Sequence, residues 1–257
     1  MKFTVKTHII ISFFFLSFST MSSQYTGPKP VVVGDVITNN YQVIYPLGWS
    51  EDSVFAYLHQ DINLLGAAEI YFYTVVFQNM KTNKILWTLN IEYNFENNNH
   101  YNYHYSPDDT PYNSAFFKQI VWASYVQKIE NKLKLYNIER TDTSIQKLTN
   151  LPKDISLKES ERKEKEFTNQ YNIKLFKNGK FKPVYQFDCK RAKEPCNADE
   201  TIWYSEFKAK GYFKSPFENR IAILVFKETN GFEEPYEYPF FVGTHLEKGF
   251  MDMGCKQ

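Results

Sequence analysis

The residues of this chain best equipped for chemistry are few and scattered. His100 and His104, with Asp108 and Asp109 just beyond, have the imidazole and carboxylate groups that divalent transition metals favour. A four-residue spacing aligns two ligands only on a helix, and the stretch from Glu96 to Asp109 reads as a polar loop. His100, His104 and Asp108 are therefore weak metal candidates, and no resident metal or other cofactor is expected. Glu51 with Asp52, and Glu233 with Glu234, supply adjacent carboxylates. Neighbours on an extended strand point to opposite faces, so neither pair closes on one substrate atom. His245 and Cys255 have the base and thiol of a nucleophilic site, but a thiol so near the C-terminus is poorly placed to be oriented for attack. No residue is assigned a catalytic role.

Tyr101, Tyr103 and Tyr105 alternate within the polar loop, where burial is not assured. Tyrosine offers a flat apolar ring with a polar tip, which suits contact with a peptide or a glycan. Trp49, Tyr71, Tyr73, Trp87, Trp122 and Trp203 fall in expected strands or in a helix and read as core. Cys189 and Cys196 flank the polar segment 190–195 between two expected strands. In an oxidising compartment they are expected to pair, which would stabilise the fold by about 2.5 kcal/mol through loop closure. Cys255 is then left over.

The compartment is read from the N-terminus. Lys2 and Lys6 precede an apolar run from Ile9 to Phe18, and small polar residues follow through Ser23. That order of basic, apolar and small segments is the pattern of a cleavable export signal. The run is half the length of roughly 20 residues that a spanning helix needs. No cysteine closes it, so a lipid anchor is not indicated. The expectation is a protein of the periplasm or the extracellular space, with no stable membrane insertion after cleavage.

Composition narrows the partners. Loss of Lys2 and Lys6 takes the formal charge from +1 to −1. A near-neutral chain with no basic face excludes nucleic acid as an expected partner. Only 10 residues are glycine, and the sequence contains no Walker loop, dinucleotide fingerprint or Gly-x-Ser-x-Gly elbow. Aromatics make up 18% of the chain, enough to furnish a large core.

The elements that must position these groups are mostly strands. Tyr41–Tyr45, Val54–Leu58 and Glu69–Phe77 read as strands, the last apolar on both faces and so buried centrally. From Ile85 to Tyr93 the odd positions are apolar and the even ones largely polar, the pattern of an outer strand. Thr110-Pro111 fits a helix start, and Phe117, Val121, Tyr125, Ile129, Leu133 and Tyr136 form a stripe at helical spacing. The charged run at 150–167 reads as a solvated linker or short surface helix open to proteolytic nicking. Asn178-Gly179 marks a hairpin between 171–176 and 181–187, and strands are expected at 202–208, 221–226 and 238–244.

The segment Gly48-Trp49-Ser50-Glu51-Asp52-Ser53-Val54-Phe55-Ala56-Tyr57 resembles the strand–turn–strand signature of TolB-type and WD-like propeller repeats. Those repeats usually carry Ser-Pro-Asp-Gly before the apolar strand; here Glu51 stands for the proline and Ser53 for the glycine. Residues 41–95 have the length of one four-stranded blade, as in uncharacterised secreted bacterial proteins. The resemblance implies a scaffold for binding surfaces and no fixed chemistry.

The expected fold is thus β-rich α+β: antiparallel sheets, as a sandwich or incomplete propeller, with one long amphipathic helix packed on them. The expected divisions are a signal peptide at 1–23, a blade-like sheet plus helix at 24–149, a charged linker at 150–167, and a β segment at 168–257 continuing the first sheet. The expected function is an exported, non-enzymatic binding or scaffold module that takes a protein, peptide or glycan partner. The alternatives are a hydrolase or metal-dependent enzyme with a site assembled from distant residues, and a structural envelope component.

Overall fold

The computed structural model describes residues 27–35, 40–65, 68–94, 117–141, 144–164, 167–189, 203–230 and 235–252. Among them are three antiparallel sheets and one α-helix. Sheet A is a meander of β1 (Val31–Asp35), β2 (Asn40–Trp49), β3 (Val54–Leu65), β4 (Ala68–Asn79) and β5 (Lys84–Asn94), in that spatial order. Sheet B has the order β11-β10-β9, from β11 (Pro235–His245), β10 (Arg220–Asn230) and β9 (Trp203–Lys214). Sheet C has the order β12-β8-β7-β6, from β12 (Met251–Asp252), β8 (Lys180–Asp188), β7 (Phe167–Lys177) and β6 (Ile155–Glu164).

The sheets stack face to face, with the helix as an outer fourth layer. Alternation along each strand decides what each face touches. In β3, Val54, Ala56 and Leu58 face the helix, while Phe55 and Tyr57 face sheet B. The helical layer is a π-helical turn (Phe117–Trp122) that runs into α1 (Ala123–Leu135). Phe117, Val121, Ile129 and Leu133 of the expected stripe are buried against sheet A. Sheet B is the middle layer. In β10, Ala222, Leu224 and Phe226 meet sheet A, and Ile221, Ile223 and Val225 meet sheet C. This explains an apolar run with no alternation: a strand covered on both faces has no polar side.

The strands after residue 168 do not continue sheet A as expected; they build two sheets of their own. A run apolar on both faces needs an apolar layer on each side, and extension of sheet A past an edge would supply neither. The charged run differs too. Residues 155–164, expected as linker or surface helix, form β6 and pair with β7 from Ile155↔Lys177 to Glu164↔Phe167. Its even-position residues Ser156, Lys158 and Ser160 are solvated, which is what an edge strand with one wet face permits. The Asn178-Gly179 hairpin forms as expected, with φ of 48° and 75° at the two turn residues.

Candidate functional site

The turn between β2 and β3 meets the turn between β9 and β10 in the most chemically suggestive cluster among the described residues. Ser53 is fully buried with φ 66°, in the left-handed region, at the position where the propeller signature has glycine. Its hydroxyl donates to Glu218 Oε1. Arg220 Nε donates to the same carboxylate at 2.7 Å, and Arg220 Nη1 donates to the Met80 carbonyl at 3.1 Å. His245 Nε2 lies 3.9 Å from Glu218 Oε2. Burial would raise the Glu218 carboxyl, but the hydrogen bonds from Arg220 and Ser53 outweigh it and hold the group below its ordinary range. Burial, then the neighbouring Arg220 guanidinium, lowers His245.

Serine, histidine and glutamate here are arranged for architecture. A serine nucleophile needs its hydroxyl on the basic nitrogen of the histidine. The Ser53 hydroxyl instead addresses the carboxylate. His245 Nδ1 accepts the backbone N–H groups of Glu247 (3.1 Å) and Lys248 (3.3 Å), which puts the proton of the neutral ring on Nε2. Lys182 completes the joint from sheet C. Its ammonium donates to the carbonyls of His245 and Lys248 and lies 4.8 Å from the Phe250 ring centroid. Burial brings it down to about 8. Together these groups pin the three sheets to one another.

Side chains also close the edges of sheet B. Along β9, Glu161 accepts the N–H of Phe207 (3.3 Å) and Glu159 accepts that of Ala209 (2.8 Å). Gln146 exchanges two backbone bonds with Tyr212. Glu159 also takes the hydroxyl of Tyr171, and Glu161 that of Thr168. Along β11, Gln42 Nε2 donates to the carbonyl of Glu237 and Gln78 Nε2 to that of Phe241, each at 3.0 Å. Gly243 donates its N–H to Asn83 Oδ1 at 2.6 Å, and Pro239 has no N–H to satisfy. A side chain at Gly243 would collide with the Met80 backbone, so glycine is what lets this edge dock so closely.

The free edge of β5 differs from these. Among the described residues its one bond outside the ladder to β4 is local, from the Lys84 N–H to Thr82 Oγ1 at 3.4 Å, and no further strand pairs with it. It is eleven residues long, with charge only at Lys84 and Glu92. Trp87 and Leu89 are half-buried beneath α1, whereas Ile85 is 55% and Leu86 37% exposed. An extra residue at Leu86, between the pairs Gln78↔Ile85 and Phe77↔Trp87, makes a bulge near one end. A second surface feature is a groove of about 410 Å³, lined by Lys29, Pro30, Leu47, Arg140, Thr141 and Ser144 among others. Arg140 there is bonded to Glu130 and stacks 5.4 Å from the Trp122 ring centroid.

Tyr101, Tyr103, Tyr105, His100, His104, Asp108, Asp109, Glu233, Glu234, Cys196 and Cys255 lie outside the described residues. Glu51 and Asp52 are exposed on the β2–β3 turn. Trp49, Tyr73 and Trp122 are buried, as core residues should be. Cys189 is 2% exposed and packs in the core between sheets B and C. Sequence reasoning did not find Ser53, Lys182 or the neighbouring Glu218 and Arg220, which come from three distant parts of the chain. Only the serine in a glycine position hinted at one of them.

No protein-family model matches the chain, and neither a curated protein nor a solved structure does so.

Proposed function

We propose that the mature chain is an exported, non-enzymatic binding or scaffold module that engages a protein partner through the open edge of sheet A. The observation that carries this reading is the contrast between edges. Both edges of sheet B are closed by side chains, whereas β5 keeps a long, weakly charged edge without a partner strand among the described residues. An unpaired strand edge is a template for another strand, and folds that do not use one usually blunt it. The polar residues most like a catalytic group support the reading from the other side, because Ser53, Glu218 and His245 are committed to holding sheets together.

Export to the periplasm or beyond belongs to this proposal and rests on the character of residues 1–23. The Cys189–Cys196 disulfide belongs with it, supported by the burial of Cys189 and the oxidising compartment. So does the blade resemblance of 41–95, which rests on the sequence of residues 48–57. Tyr101, Tyr103 and Tyr105, outside the described residues, remain the proposed contacts for a peptide or glycan.

Affinity purification of the exported protein from its native envelope, with a photo-crosslinker at residue 90, tests this. A reproducible adduct in the wild-type background that Thr88→Lys disperses is expected. Absence of any reproducible adduct, with release of product from a broad hydrolase panel, would overturn the proposal.

A further inference from the structure

We infer that residues 246–252 form a strap over the edge of β8 that acid releases, with the neutral imidazole of His245 as its pin. The strap leaves the end of β11, turns at Gly249 (φ 82°) and returns as β12, which pairs with β8 only at Met251↔Phe181 and Asp252↔Lys180. Two ladder positions are a short hold for a segment this close to a terminus. Side chains supply the rest. Lys182 on β8 donates to the carbonyls of His245 and Lys248 and sits over the Phe250 ring. The Asn219 carbonyl accepts the N–H of Leu246 at 2.7 Å, and its Nδ2 donates to Glu247 Oε1 at 2.9 Å. His245 Nδ1 accepts the N–H groups of Glu247 and Lys248.

That last pair of bonds is the one protonation breaks. Nε2 of the neutral ring already carries a proton, so a second can go only to Nδ1. There it would confront the two N–H groups that share the lone pair and leave both without an acceptor. The imidazolium and the closed strap therefore exclude one another. The surroundings of the ring agree. Burial, then Arg220 of β10, Lys248 of the strap and Lys182 of β8, oppose a positive ring and outweigh Glu218, which lies 3.9 Å from Nε2. Glu218 is itself faced by Arg220 and Lys81, and Glu247 of the strap is bonded to Asn219. Between pH 7 and 5.5 Glu218, held below its ordinary range, stays ionised, and Lys182, brought to about 8, stays charged. The imidazole is the side chain whose charge changes in this window.

An open strap lets the ring take its proton near pH 6.5, whereas the closed one delays it to lower pH. Closure is therefore complete above pH 6.5 and weakens as pH falls, by about tenfold in the closed-to-open ratio at pH 5.5. Opening uncovers the end of β8 and frees the Lys182 ammonium.

NMR of the purified chain reads this directly. Protection of the Glu247 and Lys248 amides, corrected for the intrinsic effect of pH on exchange, should fall about tenfold from pH 7 to pH 5.5. Protection of Ile223 in the middle of β10 should fall less. The His245 ring should show a bare Nδ1 at pH 7 and titrate below 6.5, together with the loss of strap protection. His245→Asn keeps an oxygen within reach of the N–H two residues on but cannot titrate, so its strap should respond to neither pH. Equal protection of the strap at both pH values overturns the inference. So does a loss shared equally by Ile223, which belongs to global unfolding, or a pH dependence that persists in His245→Asn. Should the asparagine leave the strap open already at pH 7, the wild type decides: a ring that titrates while the Glu247 and Lys248 amides stay protected refutes the pin.

Discussion

Ser53 holds a left-handed backbone conformation that costs a side-chain-bearing residue about 1 kcal/mol, and its hydroxyl bond to Glu218 compensates that cost. The two effects separate by substitution. Ser53→Ala keeps the conformational cost and removes one of the two donors to Glu218 Oε1, a bond to a charged group, for an expected loss of about 2 kcal/mol. Ser53→Gly also loses the bond but relieves the backbone, and should be less damaging by about 1 kcal/mol. Urea unfolding of both variants measures the difference, and equal losses would show that the dihedral is immaterial. His59 makes the residue-scale case for pH. Burial lowers it to about 4, and its Nδ1 has no hydrogen-bond partner. The unfolded chain takes up this proton near pH 6.5 and the folded one only near 4. The stabilisation is therefore complete above pH 6.5 and is lost as pH falls towards 4, by on the order of 3 kcal/mol. Urea midpoints at pH 7 and pH 4.5 should differ in the wild type, and His59→Phe should flatten that difference.

At the scale of elements, the charged run at 155–164 shows how one composition serves two architectures. From Lys158 onward its lysine, arginine, serine and glutamate residues form no apolar face, so composition alone points to solvent. In β6 two of those glutamates are hydrogen-bond acceptors for the β9 edge. Glu159→Ala would leave the Tyr171 hydroxyl and the Ala209 N–H without their acceptor and should cost about 2–4 kcal/mol. Glu159→Gln, which keeps one oxygen, should cost less. Amide exchange at Ala209 should speed up in the alanine variant ahead of exchange at Ile223 in the middle of β10. The same pairing predicts resistance to nicking. Limited trypsin digestion should spare Lys158, Arg162 and Lys163 in the native protein, because cleavage requires an extended segment to leave its ladder. Early cuts there would contradict the paired strand.

For the whole molecule, the middle layer ties the others together. Sheet B buries Phe213, Leu224, Phe226 and Phe241 on sheet A, and Ile221, Ile223 and Val225 on sheet C. A piece carrying only sheets B and C would expose the first of those faces to water. Thermal unfolding of the mature chain should therefore be a single cooperative transition, and a fragment spanning 144–257 should fail to fold alone. Two resolved calorimetric peaks, or a fragment with native amide dispersion, would argue for independent halves.

The segments of β2 to β5 and β7 to β11, the Asn178-Gly179 turn and the inward stripe from Phe117 to Leu133 were legible in the sequence by itself, whereas β1 and β12 were not. Each is dictated within a few residues by side-chain periodicity or by backbone preference at a turn. The apolar run of β10 announced burial as well, though not the partners that cover it. Only the tertiary structure decided that the C-terminal strands make two new layers, that the charged run is an edge strand, and that Ser53, Lys182, Glu218, Arg220 and His245 converge. Sheet stacking and edge closure depend on contacts between residues often more than a hundred positions apart. Local pattern carries no information about which distant group arrives. The open edge of β5 belongs to both levels: its alternation marks an outer strand, but only the arrangement of the other strands leaves it unpaired among the described residues.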